Sequence, residues 1–336
     1  MDLLRNDMKS YYVELTDIGR SHLNQEEIDA SDLEENEALI EAEYSMISAG
    51  TELSRAFGLK KGFRYPVRPG YCMVGKLLAK GSGIDIEPGE RAFVNAPHAS
   101  LVRWKHTGKV QDAMILKLPR DLDPKEATVI NLLLVAIQGV NLCDVKLGYR
   151  LAVLGLGNIG IFTALMFKKL GCEVTGVDPI GKRRELATNM GISKVSEDLK
   201  DEEFDIVVDA TGLSEVINNS VKHLKAYGQL LLLGSPRQSY ECDMTPFLSA
   251  IHMKNIIVRG AFNNTAPFAP VEGSDNSLLR NYRVVCDLLR NKDIDVSKMI
   301  DRVIDPKDCE EAYYDLMYNK DKATCILYDW HNYQNR

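Results

Sequence analysis

Four short, almost unbroken apolar runs constrain this chain more than any other feature. They are Leu151-Ala152-Val153-Leu154, Glu173-Val174-Thr175-Gly176-Val177, Ile206-Val207-Val208 and Leu230-Leu231-Leu232-Leu233. Each is too short for an ordinary helix, and stretches of helical character near 159–170, 182–190 and 214–225 separate them. Strands that are apolar on both faces belong to parallel sheets covered by helices on either side. Strict alternation of such strands with helices implies a doubly wound α/β sheet. Ile256-Ile257-Val258-Arg259-Gly260 reads as one further strand.

The texture before and after this array is different. The first 120 residues show mixed strand and loop, with partial alternation in Ala38 to Tyr44 and Tyr71 to Leu78 that suits half-buried strands. Pro and Gly punctuate them at Arg68-Pro69-Gly70 and Glu87-Pro88-Gly89-Glu90. No long helical period occurs here, so a barrel-like or open sheet is expected. At Asp123-Pro124-Lys125-Glu126 the chain changes character: Asp123 can cap free N–H groups, Pro124 suits a first helical position, and Glu126 can close a capping box. One helix is predicted from there to about Leu142. After about residue 265, Leu278, Tyr282, Val285 and Leu289 recur at helical spacing, Asp305-Pro306 opens a last helix, and Cys325 to Tyr328 reads as a final strand. The expected divisions are 1–122, 123–264 as the domain of the doubly wound sheet, and 265–336 returning to the first.

The segment after the first buried strand, Gly155-Leu156-Gly157-Asn158-Ile159-Gly160, matches G-x-G-x-x-G. Alone the pattern is weak, but here it follows a strand and opens a helix, which is the context phosphate binding requires. Gly155 permits the tight turn, Gly157 lets the backbone approach a pyrophosphate, and Gly160 lets helix and strand pack closely. The helix N-terminus then offers free N–H groups and a partial positive charge. Asp178 lies at the end of the second strand, eighteen residues past Gly160, where a carboxylate meets the adenosine ribose and repels a 2′-phosphate. That favours NAD over NADP, although Lys182, Arg183 and Arg184 follow and arginine can hold a 2′-phosphate.

Bulk properties exclude other classes. The 336 residues carry 41 Lys and Arg against 48 Asp and Glu, a net charge of -7 that argues against a nucleic-acid partner. The opening residues Met1 to Asp7 lack the order of a secretory signal, and the apolar stretch Val129 to Cys143 is too short to span a bilayer. A cytoplasmic enzyme with no membrane partner is expected. Seven scattered cysteines contain no C-x-x-C pair, so neither a disulfide framework nor a cysteine-rich zinc knuckle is anticipated.

Taken in order along the chain, these motifs resemble the medium-chain dehydrogenase/reductases related to alcohol and sorbitol dehydrogenases. Residues 35–53 resemble that family's opening strand and site loop, and Gly89-Glu90-Arg91-Ala92-Phe93 its G-D-R-V turn. Asp209-Ala210-Thr211-Gly212 resembles the D-x-x-G after the fourth strand, and Gly228 to Gly234 the strand leading toward the nicotinamide. The resemblance implies a GroES-like, partly open β-barrel catalytic domain beside a Rossmann sheet, a small-molecule substrate, and a homodimer paired through the strand near 256–262. It implies cofactor contacts from Gly155, Gly157, Asn158, Ile159, Gly160, Asp178, Arg183, Thr211, Gly234 and Ala261.

The same resemblance exposes a gap. The family's catalytic zinc is held by a Cys in a C-x-T/S-D/E loop, a His in G-H-E, and a Cys or Glu at the linking helix. This chain reads Ala49-Gly50-Thr51-Glu52, then Gly70-Tyr71-Cys72, then Asn131 or Leu133/Leu134 by alignment. No cysteine occurs between Cys72 and Cys143, so the four-cysteine structural lobe is missing too. Zinc needs S, N or O ligands, usually three plus water, and only Cys72 is a ready one. The chain therefore resembles the metal-free alcohol-oxidising branch that includes bacteriochlorophyllide a dehydrogenase-like proteins. Thr51 stands where the family's hydroxyl relay is found, Tyr71 replaces the histidine ligand, and His98 is expected at a pocket mouth, where it can move a proton. Glu52 is expected to pair with a basic residue near the cofactor. Phe57, Tyr65, Trp104 and Phe262 are either pocket wall or core. The reading is hydride transfer between NAD(H) and a secondary alcohol or ketone. The alternatives are a quinone or enoyl reductase, and a dinucleotide-binding sensor or scaffold without turnover.

Overall fold

The computed structural model describes residues 7–59, 62–106, 114–236, 238–274 and 276–334. The opening residues Met1 to Asn6, read above for a leader signal, lie outside the described residues. The N-terminal strands are β1 (Asp7–Asp17), β2 (Arg20–Asp29) and β3 (Glu37–Met46), followed by the short helix α1 (Thr51–Ala56). Then come β4 (Met73–Lys80), β5 (Arg91–Val94), β6 (Leu101–Lys105) and β7 (Ile115–Lys117). The linking segment forms α2 (Pro124–Ala127) and α3 (Ile130–Asn141) in place of the single helix expected. Asp123 does cap, accepting from the N–H groups of Lys125 and Glu126. The break follows from tight turns at Thr128 and Val129, whose N–H groups reach the carbonyls three residues back.

The α/β array comprises β8 (Arg150–Leu154), α4 (Asn158–Lys169), β9 (Glu173–Val177), α5 (Gly181–Asn189), β10 (Lys194–Ser196) and β11 (Phe204–Asp209). It continues with α6 (Ser214–Ser220), β12 (Leu224–Leu232), α7 (Thr245–Lys254) and β13 (Ile257–Gly260). The helix expected over 214–225 is shorter because a 3₁₀ turn at Val221–His223 feeds directly into β12. The chain ends with α8 (Leu278–Arg290), β14 (Arg302–Ile304), α9 (Cys309–Tyr318) and β15 (Ile326–Asp329).

These elements form two compact units. One comprises the described residues up to Ile130 together with Leu289–Asn291 and those from Ile300 onward; the other comprises Asn131–Leu288 and Lys292–Met299. The segment 265–336 is thus divided: most of α8 belongs to the second unit, while β14, α9 and β15 belong to the first.

In the first unit the sheet order is β14-β15-β3-β4-β5-β7, with β6 also on β3. β3 carries β4 along one edge and, on the other, β6 along its first half and β15 along its last residues. That double edge explains why nine of its ten residues are buried, where the alternating sequence suggested a half-buried strand. The unit's core joins Ile40, Ile47, Met73 and Leu77 to Tyr313, Ile326 and Trp330. α9 reaches that core through Cys309, Ala312, Tyr313 and Leu316, a stripe at helical spacing. In the second unit six strands run in the order β10-β9-β8-β11-β12-β13, all parallel. The order reverses beside β8, so the crevice at the carboxyl ends of β8 and β11 is the topological switch point where such sheets bind ligands. No described helix is long and apolar enough to cross a membrane.

Candidate active site

In the second unit every loop singled out from the sequence leaves the carboxyl end of a parallel strand, so all of them lie along one edge of the sheet. Gly155 follows β8 with φ of +91°, a conformation that favours glycine, and a Cβ there would crowd Thr211. A Cβ on Gly160 would lie 1.8 Å from the Gly155 carbonyl oxygen, so the start of α4 packs against the loop itself. Around Gly157, the N-cap of α4, a Cβ would meet nothing within 4 Å, and no side chain caps the helix. Open space beside uncapped N–H groups fits a pyrophosphate. Asn158 is buried on the first turn and Ile159 is half-buried beside it.

Asp178 is 2% exposed, and its carboxylate accepts from the N–H of Leu156 at 2.9 Å and of Ile180 at 2.8 Å. It therefore ties the glycine loop to the end of β9. Arg183 Nη1 lies 3.5 Å from the same carboxylate, and Arg184 donates to the Asp178 carbonyl at 2.6 Å. After β11, Asp209 accepts from Thr211 N–H and O–H and from Gly212 N–H. Gly234 packs back to back on Gly212, since a Cβ on Gly234 would stand 2.3 Å from Gly212 N. Ala261 is buried after β13 and donates its N–H to Leu232.

In the first unit three hydroxyls converge. Ser48 is buried in the turn between β3 and α1, while Thr51 opens α1 and is exposed. Tyr71, half-buried just before β4, donates its hydroxyl to Ser48 Oγ and stands 3.4 Å from Thr51 Oγ1. Burial, with Cys72 adjoining, pushes the Tyr71 phenol far above its ordinary value, so it is a neutral hydroxyl at physiological pH.

Beneath these hydroxyls lies a polar network, and here two expectations need correcting. His98 is not at a pocket mouth: it is fully buried, with Nδ1 2.8 Å from Ser45 Oγ, Nε2 2.9 Å from Glu52 Oε2, and Tyr328 edge-on to its ring. Glu52 faces the interior, where its carboxylate accepts from Ser48 N–H at 2.7 Å, Tyr313 O–H at 2.6 Å and His98. The physical reason is local: α1 begins at Thr51, so Thr51 faces out and the next residue turns in. Ser45, Ser48, Tyr313 and Trp330 belong to this network and carried no motif. The one local signal was Ser48, four residues before Glu52 and within reach of its carboxylate. Among the aromatic candidates, Trp104 is core, Phe57 and Tyr65 pack half-buried against that core, and Phe262 is 63% exposed.

At the positions where the family holds zinc, Ala49 offers no donor, the Tyr71 hydroxyl is engaged with Ser48, and Cys72 is buried at 0% exposure. Among the described residues no group of three or more His, Cys, Asp or Glu is placed to hold a metal. These residues do not fit a zinc site.

The zinc-binding dehydrogenase family matches residues 158–272. An uncharacterized zinc-type alcohol dehydrogenase-like protein, YdjJ of Escherichia coli K12, is 22% identical over 289 residues, covering 80% of this chain and 75% of that protein. Sorbitol dehydrogenase of Bombyx mori is 23% identical over 244 residues, 67% of each chain. Galactitol-1-phosphate dehydrogenase from Escherichia coli superposes with a TM-score of 0.78 at 17% identity, covering 95% of this chain and 99% of that one. Two further structures superpose at 0.76 over 96% of this chain and 99% of theirs: a dehydrogenase from Sinorhizobium meliloti bound to NADP, at 19% identity, and RspB of Escherichia coli with NADH, at 14%. The fold is that of the medium-chain, zinc-binding dehydrogenases.

Proposed function

We propose that this chain is an oxidoreductase that exchanges hydride between NAD(H) and a secondary alcohol of a polyol or sugar, without a catalytic zinc. The observation that carries the reading is the Tyr71 hydroxyl bonded to Ser48 and 3.4 Å from Thr51, where a metal site would otherwise stand. Relatives named for sorbitol and galactitol 1-phosphate support the substrate class. The bound nicotinamide supplies the hydride acceptor or donor. The open N-terminus of α4 holds the pyrophosphate, with Gly155, Gly160, Thr211, Gly234 and Ala261 shaping the loops around it.

During oxidation Thr51 Oγ1 accepts the substrate's hydroxyl proton while its own O–H proton passes to the solvent that this exposed side chain meets, and reduction runs the relay in reverse. Tyr71, kept neutral by burial, turns its single O–H proton from Ser48 Oγ to the substrate oxygen as negative charge grows there, and the Ser48 hydroxyl then donates to the Tyr71 oxygen in return. Asp178 disfavours a 2′-phosphate through its buried charge, so NAD is the preferred dinucleotide, with Arg183 partly offsetting that charge. His98 acts from the interior and not as the proton carrier. The unit boundaries proposed are a catalytic unit with the C-terminal strands returned to it and a dinucleotide unit.

A homodimer is proposed through β13, an edge strand with every residue exposed, beside α7, which buries none of its own. The test of function is a panel of sorbitol, xylitol, sugar acids and larger secondary alcohols, with NAD and NADP, in chelator. Turnover with NAD in chelator is expected. Stoichiometric zinc with chelator-sensitive turnover overturns the metal-free reading, and no turnover anywhere overturns the enzyme.

A further inference from the structure

Ser48 is held from every side. Its N–H donates to Glu52 Oε1 at 2.7 Å, its carbonyl accepts from Glu52 N–H at 3.0 Å, and its hydroxyl accepts from Tyr71. Glu52 therefore fixes the backbone that carries the Ser48 hydroxyl. Glu52 is itself fixed in the interior by Tyr313 O–H and by His98.

The protonation pattern of that interior closes without a conflict. Trp330 Nε1–H can only donate, and it points at Ser45 Oγ at 2.9 Å. Ser45 then has its own proton to give to His98 Nδ1, 2.8 Å away. That leaves His98 Nε2–H to donate to the Glu52 carboxylate. A carboxylate with 0% exposure thus receives three hydrogen bonds, which is what keeps a buried charge tolerable.

The same histidine also controls the other partner. Gly70, immediately before Tyr71, has φ of +109°, and a Cβ there would stand 2.5 Å from His98 N and 2.9 Å from its ring. The His98 N–H donates to the Pro69 carbonyl at 2.9 Å. His98 therefore braces the backbone that delivers Tyr71, while Glu52 braces the backbone that delivers Ser48. One buried pair fixes both ends of one hydroxyl–hydroxyl contact.

We propose that Ser48 is a positioning residue for the Tyr71 hydroxyl, and that the buried Glu52–His98 pair is the brace that holds the two in register. This rests on the reading of Tyr71 as the hydroxyl that meets the substrate oxygen. Ser48 touches no substrate in this account; it aims the group that does.

The test has two arms. In the first, the 14 tyrosines are replaced by 3-fluorotyrosine, and the residue 71 resonance is identified by its loss in Tyr71→Phe. Ser48→Ala and His98→Gln should both move that resonance. Ser54→Ala should leave it in place, since that hydroxyl only bonds the Gly50 carbonyl on the same helix. An unmoved resonance in Ser48→Ala overturns the proposal, whatever the substrate proves to be.

The second arm is a double-mutant cycle on turnover with sorbitol, xylitol and 2,3-butanediol. A hydroxyl displaced by about 1 Å costs on the order of 100-fold in rate, so Ser48→Ala should lower kcat by roughly 10- to 100-fold with NADH affinity unchanged. Ser48→Thr should restore most of it, and in the Tyr71→Phe background Ser48→Ala should have no further effect. Additive losses overturn the positioning role while leaving Tyr71 in place. A Tyr71→Phe variant as fast as the wild type instead overturns the reading of Tyr71 itself.

Discussion

Gly157 and Gly160 stand three residues apart in one loop, and the structure gives them opposite burdens. A Cβ on Gly160 would lie 1.8 Å from the Gly155 carbonyl oxygen, and because that atom is backbone no rotamer change relieves it. Overpacking of this kind costs about 1–3 kcal/mol, and so close an approach to backbone belongs at the upper end. A Cβ on Gly157 would meet nothing within 4 Å, and its φ of -74° suits alanine. Gly157→Ala should therefore stay within roughly 0.5 kcal/mol of wild-type stability. The space it fills is the space a pyrophosphate needs. A hydrogen bond to a charged group contributes about 1.5–3 kcal/mol, so losing one weakens binding roughly 10- to 150-fold. Urea unfolding without cofactor reads the first quantity, and NADH titration by fluorescence reads the second. Gly157→Ala should unfold like the wild type and bind NADH poorly, while Gly160→Ala should fail on both counts. Wild-type NADH affinity in Gly157→Ala, or wild-type stability in Gly160→Ala, would refute the reasoning.

Glu52→Leu keeps the volume of the side chain and strands three buried donors, so a loss of about 3–5 kcal/mol is expected in urea unfolding. A loss below about 1 kcal/mol would mean the network relaxes and is no brace. Burial raises the phenols of Tyr71, Tyr313 and Tyr328, so the folded state keeps protons that the unfolded chain releases. Stability from these groups is complete below about pH 10 and falls as pH rises further, which urea midpoints measured on both sides of that value should show. If β13 pairs with a second copy, Val258→Asp should halve the mass seen by light scattering; an unchanged dimer would place the contact elsewhere.

The parts of this molecule that were legible in the sequence are those written locally. The glycine loop, its strand and its helix lie within residues 150–169, and the capping signal at Asp123 acts on N–H groups two and three residues on. The helical stripe of Leu278, Tyr282, Val285 and Leu289 is likewise contained in one helix, and all four residues are buried. The site in the first unit is written across the whole chain: Glu52 meets Tyr313, and Ser45 meets Trp330. No spacing rule connects such positions. His98 was misplaced for the same reason, since a histidine between Pro97 and Ala99 reads as a loop residue until β1 and Pro69 are seen to close over it. β3 looked half-buried because two of its three neighbours, β6 and β15, come from distant sequence.

The central claim is direct hydride exchange without a metal, and isotope transfer tests it most directly. Sorbitol and xylitol deuterated at their secondary carbinol carbons are incubated with NAD and chelator-treated protein, and the reduced cofactor is weighed by mass spectrometry. Deuterium on the nicotinamide of NADH, absent in Thr51→Val, is the result this account predicts. Reduced cofactor that carries no deuterium, or transfer that returns only when zinc is restored, would contradict it.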